Sequence, residues 1–180
     1  MRAEPPILLT VGHGASSEED FRKLLETAEV ASVVDVRIGP GSRKHPHFGK
    51  DRLEKWLPAA GVAYRWEQRL GGFRKLPPDS PDTALRNESF RAYAAYMRTP
   101  GFAAALAEVL AEAAERRTAI MCSETVWWRC HRRLVADHAL LLDGANPVHL
   151  MPAGRTTPHP PTAGVRVSED QLIYDVVPQL

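Results

Sequence analysis

The chain has 180 residues, 44% of them hydrophobic and 25% charged. That balance fits one globular domain with its own apolar core and excludes a mostly disordered chain. Lys and Arg total 23 against 22 Asp and Glu, a net charge of +1 that excludes a uniformly basic nucleic-acid coat and leaves only local patches.

Ile7 to Val11 is the first of five short runs rich in Val, Ile and Leu that read as buried parallel strands. Ser16 and Ser17 precede Glu19 and Asp20, a capping box that opens a helix through Phe21, Leu24, Leu25 and Ala28. Ser32 to Val36 is the second strand. Lys50 to Ala60 is a second helix, with Pro58 near its end and Gly61 as its cap. Val62 to Trp66 is the third strand. Leu76 to Glu88 is a long polar loop that reads as a lid. Phe90, Tyr93, Ala94 and Met97 keep helical spacing. Thr99-Pro100 then starts another helix, whose core stripe is Phe102, Leu106, Val109, Leu110 and Ala113. Thr118 to Cys122 is the fourth strand. A further helix is expected from about Glu124 to Leu142, capped by Gly144, before the fifth strand at Pro147 to Met151.

Alternating strands and helices predict a single-domain α/β fold, a Rossmann-like three-layer arrangement with a mostly parallel sheet of about five strands flanked by helices. The expected organisation is an α/β domain over residues 1–151, a Pro-rich linker over 152–164 and a tail over 165–180. The tail reads as an edge strand or an exchanged segment. No apolar run approaches the 18 residues of a membrane span, and the first apolar stretch is short for a signal peptide. A cytoplasmic protein without membrane contact is therefore expected.

Ligands of open α/β sheets bind beyond the carboxyl ends of the strands. Those ends carry Gly12-His13-Gly14, Asp35-Val36-Arg37 with Arg43 beyond it, Glu67 and Arg69 with Gly71-Gly72, Cys122-Ser123-Glu124, and His149. Cys122 is placed where a strand gives way to a helix, whose N-terminus favours a thiolate or an anion, with the N–H groups of Ser123 and Glu124 as an oxyanion hole. His131 and His13 are candidate acid–base groups with Glu124 beside them. Arg37, Arg43 and Arg132 are candidate anion binders, with Gly12, Gly71 and Gly72 allowing close approach of a ligand and Trp127 available for stacking. An inert buried cysteine is the alternative reading of Cys122, and an ion pair with Asp35 or Glu67 that of Arg37. Asp35 and Arg37 are expected on opposite faces of their strand.

Cys122 and Cys130 are eight residues apart, about 12 Å in a continuous helix and too far for a disulfide or shared metal, unless a loop at 123–125 brings them together. A metal site of Cys122, Cys130 and His131, with His13 as fourth ligand, is then an alternative, although Cys-x7-Cys-His is no zinc-finger spacing. Arg65, Arg69, Arg74 and Lys75 form an expected basic patch beside Gly71-Gly72, fit for a small anion rather than a duplex. No P-loop, G-x-G-x-x-G or G-x-S-x-G motif is present.

Val11-Gly12-His13-Gly14, Asp35-Val36-Arg37 with Ser42-Arg43 and Pro46-x-Phe48, Leu70-Gly71-Gly72, and Met121-Cys122-x-Glu124-x5-Cys130-His131-Arg132 resemble the DUF488 family over about residues 7 to 151. The resemblance implies a small bacterial or archaeal α/β domain and brings no activity with it. Family members usually carry Ser where this chain has Gly14, so a hydroxyl there is not essential here. The expectation is a small enzyme, a cysteine-dependent transferase or hydrolase acting through Cys122 on a small anionic or nucleotide-like substrate. A Cys/His metal-binding protein and a non-catalytic nucleotide or nucleic-acid binding module are the rivals. The cofactor is open, a metal ion being the one candidate, and the oligomeric state is not indicated.

Overall fold

The computed structural model describes residues 4–177. Five parallel strands, β1 (Ile7–Gly12), β2 (Ser32–Asp35), β3 (Ala63–Trp66), β4 (Thr118–Cys122) and β5 (Asn146–Leu150), build the sheet. Their spatial order is β3-β2-β4-β1-β5, and a sixth strand, β6 (Thr156–Pro158), closes the edge antiparallel to β5. From β1 the chain crosses to β2 on one side, returns to β4 beside β1, and then moves to β5 on the other side. The β1–β4 pair is thus where the winding reverses, and a crevice opens at the carboxyl ends of such a pair.

Successive strand residues feed opposite faces. Leu9, Val33, Ala119 and Met121 pack with Phe21 and Leu25 of α1 (Glu18–Thr27) and with Leu53 and Leu57 of α2 (Lys50–Ala59). Leu8, Val34 and Ile120 pack against the other face. There they meet Tyr93 of α3 (Glu88–Tyr96), Phe102, Leu106 and Val109 of α4 (Pro100–Glu115), and Leu134 and Val135 of α5 (Arg132–Leu141). Each buried Leu, Ile, Val, Phe or Met side chain among these contributes roughly 1.5–3 kcal/mol, which is why both strand faces are aliphatic. The three-layer α/β fold is as the sequence predicts. Ser17 caps α1 by accepting from the Asp20 N–H, and Thr99 caps α4 ahead of Pro100.

Three expectations change. The helix expected over 124–142 is broken. Residues 123–126 are irregular, Trp127–Arg129 forms a 3-10 turn, and α5 begins only at Arg132. The carbonyls of Cys122 and Ser123 accept the N–H groups of His13 and Gly14, and that of Glu124 accepts Arg132. They are therefore unavailable to a helix. The stretch read as a linker supplies β6, while the tail forms a hairpin of β7 (Val165–Ser168) and β8 (Gln171–Tyr174), with Leu172 and Tyr174 buried. Residues 178–180 of the expected tail lie outside the described residues. Finally, the loop 76–88 is anchored rather than a free lid. Its buried Asp82 holds Arg98 through two hydrogen bonds of 2.6 and 3.0 Å and accepts the Tyr174 N–H. No helix among the described residues is long and apolar enough to cross a membrane.

Candidate functional site

A cavity of about 790 Å³ opens at the carboxyl ends of β1, β2 and β4. It gathers His13 after β1, Arg37 and Arg43 after β2, Gly72 after β3, and Cys122, Glu124, Cys130 and His131 after β4. Arg43, Lys44 and Arg129 lie exposed along it, and none forms an ion pair among the described residues. Among the described residues Glu124 is the single carboxylate in the lining, so the cavity presents net positive charge.

The break after β4 folds the chain back and brings both cysteines against Arg132. Both are reduced and buried at the cavity wall. Cys130, rather than Cys122, stands at a helix N-terminus: the Arg132 N–H of α5 points to its Sγ at 3.5 Å. His131 donates from Nε2 to the Val36 carbonyl at 2.9 Å, which leaves Nδ1 as the acceptor 3.6 Å from the Cys130 Sγ. Burial pushes the Cys122 thiol well up. Burial would also raise Cys130, but the adjacent Cys122, His131 and Arg132 outweigh it and hold that thiol well below its ordinary range.

Arg132 is the centre of the cluster. It is 1% exposed, and among the described residues no carboxylate pairs with it. Its Nε–H donates to the Cys122 Sγ at 3.0 Å, one terminal nitrogen donates to the Thr10 hydroxyl at 3.1 Å, and the other to the Glu124 carbonyl. It supports the cysteines from behind and does not line the cavity.

Several other expectations are corrected. Asp35 and Arg37, two residues apart, share a face. They form a bidentate buried pair with contacts of 2.9 and 2.7 Å, and Arg37 also donates to the Phe48 carbonyl. Arg37 therefore mainly holds the loop. His13 donates from Nδ1 to the Gly14 carbonyl at 2.8 Å and stacks on Phe48, its Nε2 facing Arg37 at 3.5 Å. Burial lowers its pKa to about 4, so it is neutral near pH 7. Trp127 does not reach the cavity: it lies flat on His149, centroids 4.2 Å apart. Gly12 and Gly71 contact protein rather than the cavity. A Cβ on Gly12 would lie 1.7 Å from the Glu124 carbonyl oxygen, and one on Gly71 would lie 2.7 Å from the Ile38 backbone. Gly14 has φ +51°, and a side chain there would meet the Thr125 hydroxyl oxygen at 2.0 Å, which gives the departure from Ser a local cause.

Two of the four residues of the expected basic patch are neutralised, whereas Arg74 and Lys75 form no ion pair among the described residues. Arg65 pairs with Glu67 and Glu112, Arg69 with Glu67 and Glu108, and Arg74 stacks on Tyr96. Hydrogen bonds from Arg69, then Arg65, hold Glu67 down at about 2 against the cost of burial. No three His, Cys, Asp or Glu side chains among the described residues stand together as a metal-binding group. The sequence alone assigns no role to Thr10, Asp137, His159 and Tyr174: behind Arg132, Thr10 and His159 bond to His149, His159 bonds on to Asp137, and Tyr174 to Asp137. Only the histidine within the Pro-rich run 158–161 was a local signal.

No curated protein and no solved structure matches the chain. A family model described as "Domain of unknown function DUF488" matches residues 17–139, a narrower span than the resemblance over 7 to 151, leaving β1 and everything from Leu140 onward outside. That match covers more than half of the chain and spans the elements that carry both cysteines, His131 and Arg132, so the protein belongs to the DUF488 family.

Proposed function

We propose that this protein is a cysteine-dependent enzyme, a transferase or hydrolase acting on a small anionic substrate held in the cavity at the strand ends. The observation that carries the reading is Arg132. A buried guanidinium without a counter-charge is costly, and among the described residues the groups in contact with Arg132 that can become anionic are Cys122, at its Nε, and Cys130, at its backbone N–H. A thiolate in the pair compensates it, and a thiolate is the nucleophilic form of cysteine.

Cys130 is the better candidate for the attacking sulfur than Cys122, because it has the helix N-terminus and the bare His131 Nδ1. In this reading the Cys130 thiolate attacks an electrophilic acyl or phosphoryl centre, and a sulfur–substrate bond forms. The leaving group departs with its electron pair and takes the proton that His131 Nδ1 had received from the thiol. Water or a second acceptor then attacks the same centre, giving its proton to His131 Nδ1, and the sulfur–substrate bond breaks with its electron pair on sulfur, which regenerates the thiolate. Arg43, Lys44 and Arg129 supply the charge that draws an anion in. Phe73, 86% exposed at the same cavity, offers a face for a planar group such as a nucleobase. The nucleic-acid reading loses Trp127 to His149.

The test is alkylation of Cys130 by iodoacetate and by neutral iodoacetamide, read by peptide mass spectrometry. Selective acceleration by the anionic reagent, lost in Arg43→Ala/Arg129→Ala and blocked by inorganic phosphate, is expected. Equal sensitivity of both reagents to these changes, without phosphate protection, would contradict an anion site.

A further inference from the structure

Behind the cysteine pair runs an unbroken buried chain of hydrogen bonds. Arg132 donates to the Thr10 hydroxyl at 3.1 Å. Thr10 lies 2.5 Å from His149 Nδ1, His149 Nε2 lies 2.8 Å from His159 Nδ1, and His159 Nε2 lies 2.7 Å from the Asp137 carboxylate. All five residues are buried, and Asp137 also accepts the Tyr174 hydroxyl at 2.8 Å and the Thr162 N–H at 3.0 Å.

With both imidazoles neutral, the chain has one arrangement of protons. A guanidinium only donates, so the Thr10 oxygen accepts from Arg132, and its own hydrogen turns to the Nδ1 left bare on a neutral His149. At the other end the ionised carboxylate only accepts, so His159 carries its hydrogen on Nε2. His159 Nδ1 is then bare and takes the Nε2–H of His149. The donors all point from Arg132 towards Asp137, the arrangement in which linked hydrogen bonds polarise and strengthen one another.

We infer that Asp137, His159, His149 and Thr10 form a positioning relay that holds the Arg132 guanidinium against the Cys122–Cys130 pair, making β5 and the segment after it part of the reactive site. The inference rests on the proposed thiolate and extends it beyond the family match, because His149, His159 and Tyr174 all lie past residue 139. None of the four relay residues lines the cavity. They act through Arg132 rather than on a substrate.

The test compares the pH profile of Cys130 alkylation in wild type, Thr10→Val, Thr10→Ser and Asp137→Asn. Thr10→Val removes the hydroxyl at nearly constant shape and Thr10→Ser keeps it. The profile of Thr10→Val is expected to move up, with labelling at pH 6 slowed ~tenfold, the effect of one lost charge-assisted bond. Asp137→Asn should move it the same way, and Thr10→Ser should return it to the wild-type position. Superimposable profiles for folded Thr10→Val and wild type would overturn the relay. Nitrogen-15 chemical shifts of the wild-type histidines at pH 7 give a second reading that needs no variant. Bare Nδ1 and protonated Nε2 on both His149 and His159 are expected, and an Nδ1–H tautomer on either would overturn the relay. Wild-type cysteines that label only above pH 8.5 would remove the nucleophile while the tautomers still decide the relay.

Discussion

Arg132 decides what the two cysteines can be. Three of its contacts, to Cys122, Thr10 and the Glu124 carbonyl, fix the guanidinium in a water-poor site, where a hydrogen bond to an ion is worth about 1.5–3 kcal/mol. Arg132→Met should therefore move the Cys130 alkylation profile upward and lower the labelling rate at pH 6 by roughly ten- to a hundredfold. An unchanged profile would mean that no thiolate is held there. The two sulfurs should also respond differently. Cys122→Ala removes the neighbouring thiol and should raise the Cys130 profile, whereas Cys130→Ser should abolish fast labelling altogether, since burial holds Cys122 protonated. The residue types were legible in the sequence: Cys122, Cys130, His131 and Arg132 stand within eleven positions. Their division of labour was not, because it depends on which carbonyls the backbone between them has already used.

At the scale of elements, the segment between β4 and α5 is the one that differs most from its sequence pattern. Residues 124–142 have helical periodicity, yet the carbonyls of Cys122, Ser123 and Glu124 are bound by His13, Gly14 and Arg132. Partners from the turn after β1, more than a hundred residues away in sequence, and from Arg132 at the far end of the break override local propensity. The strands were legible because each is a short aliphatic run buried on both faces, as in Val33, Val34, Ala119 and Ile120. The β1–loop packing has a direct test. Gly12→Ala places a methyl where the Glu124 carbonyl oxygen lies 1.7 Å away, so the loop must move. A loss of about 2 kcal/mol, some ~4–8 °C in Tm, is expected by thermal denaturation, together with slower Cys130 labelling. Gly39→Ala, where a Cβ meets nothing within 4 Å, should leave Tm nearly unchanged.

For the molecule as a whole, the buried histidines set the acid limit. Burial lowers His149 to about 3 and His13 to about 4, while the unfolded chain takes up both protons near 6.5. Between those values the unfolded state binds more protons than the folded one, so stability rises with pH there. Tm should fall as pH is lowered from 6.5 towards 4, and a Tm flat over that range would contradict neutral buried imidazoles. The same burial ties the segment after β5 to the rest, through His159 and Thr162 on Asp137 and through Tyr174 beneath Asp82. The sequence showed this segment only as Pro-rich and polar, and its role is visible only where it meets α5 and the 76–88 loop. The central claim, a stabilised thiolate beside an anion-binding cavity, is tested most directly by site-resolved alkylation of wild-type Cys122 and Cys130 across pH, with and without a chelator. Fast labelling of Cys130 well below pH 8.5, indifferent to chelator and slower at Cys122, is the predicted result. Slow labelling of both until the pH passes 8.5 would contradict the account, and protection lifted only by the chelator would replace it with a metal site.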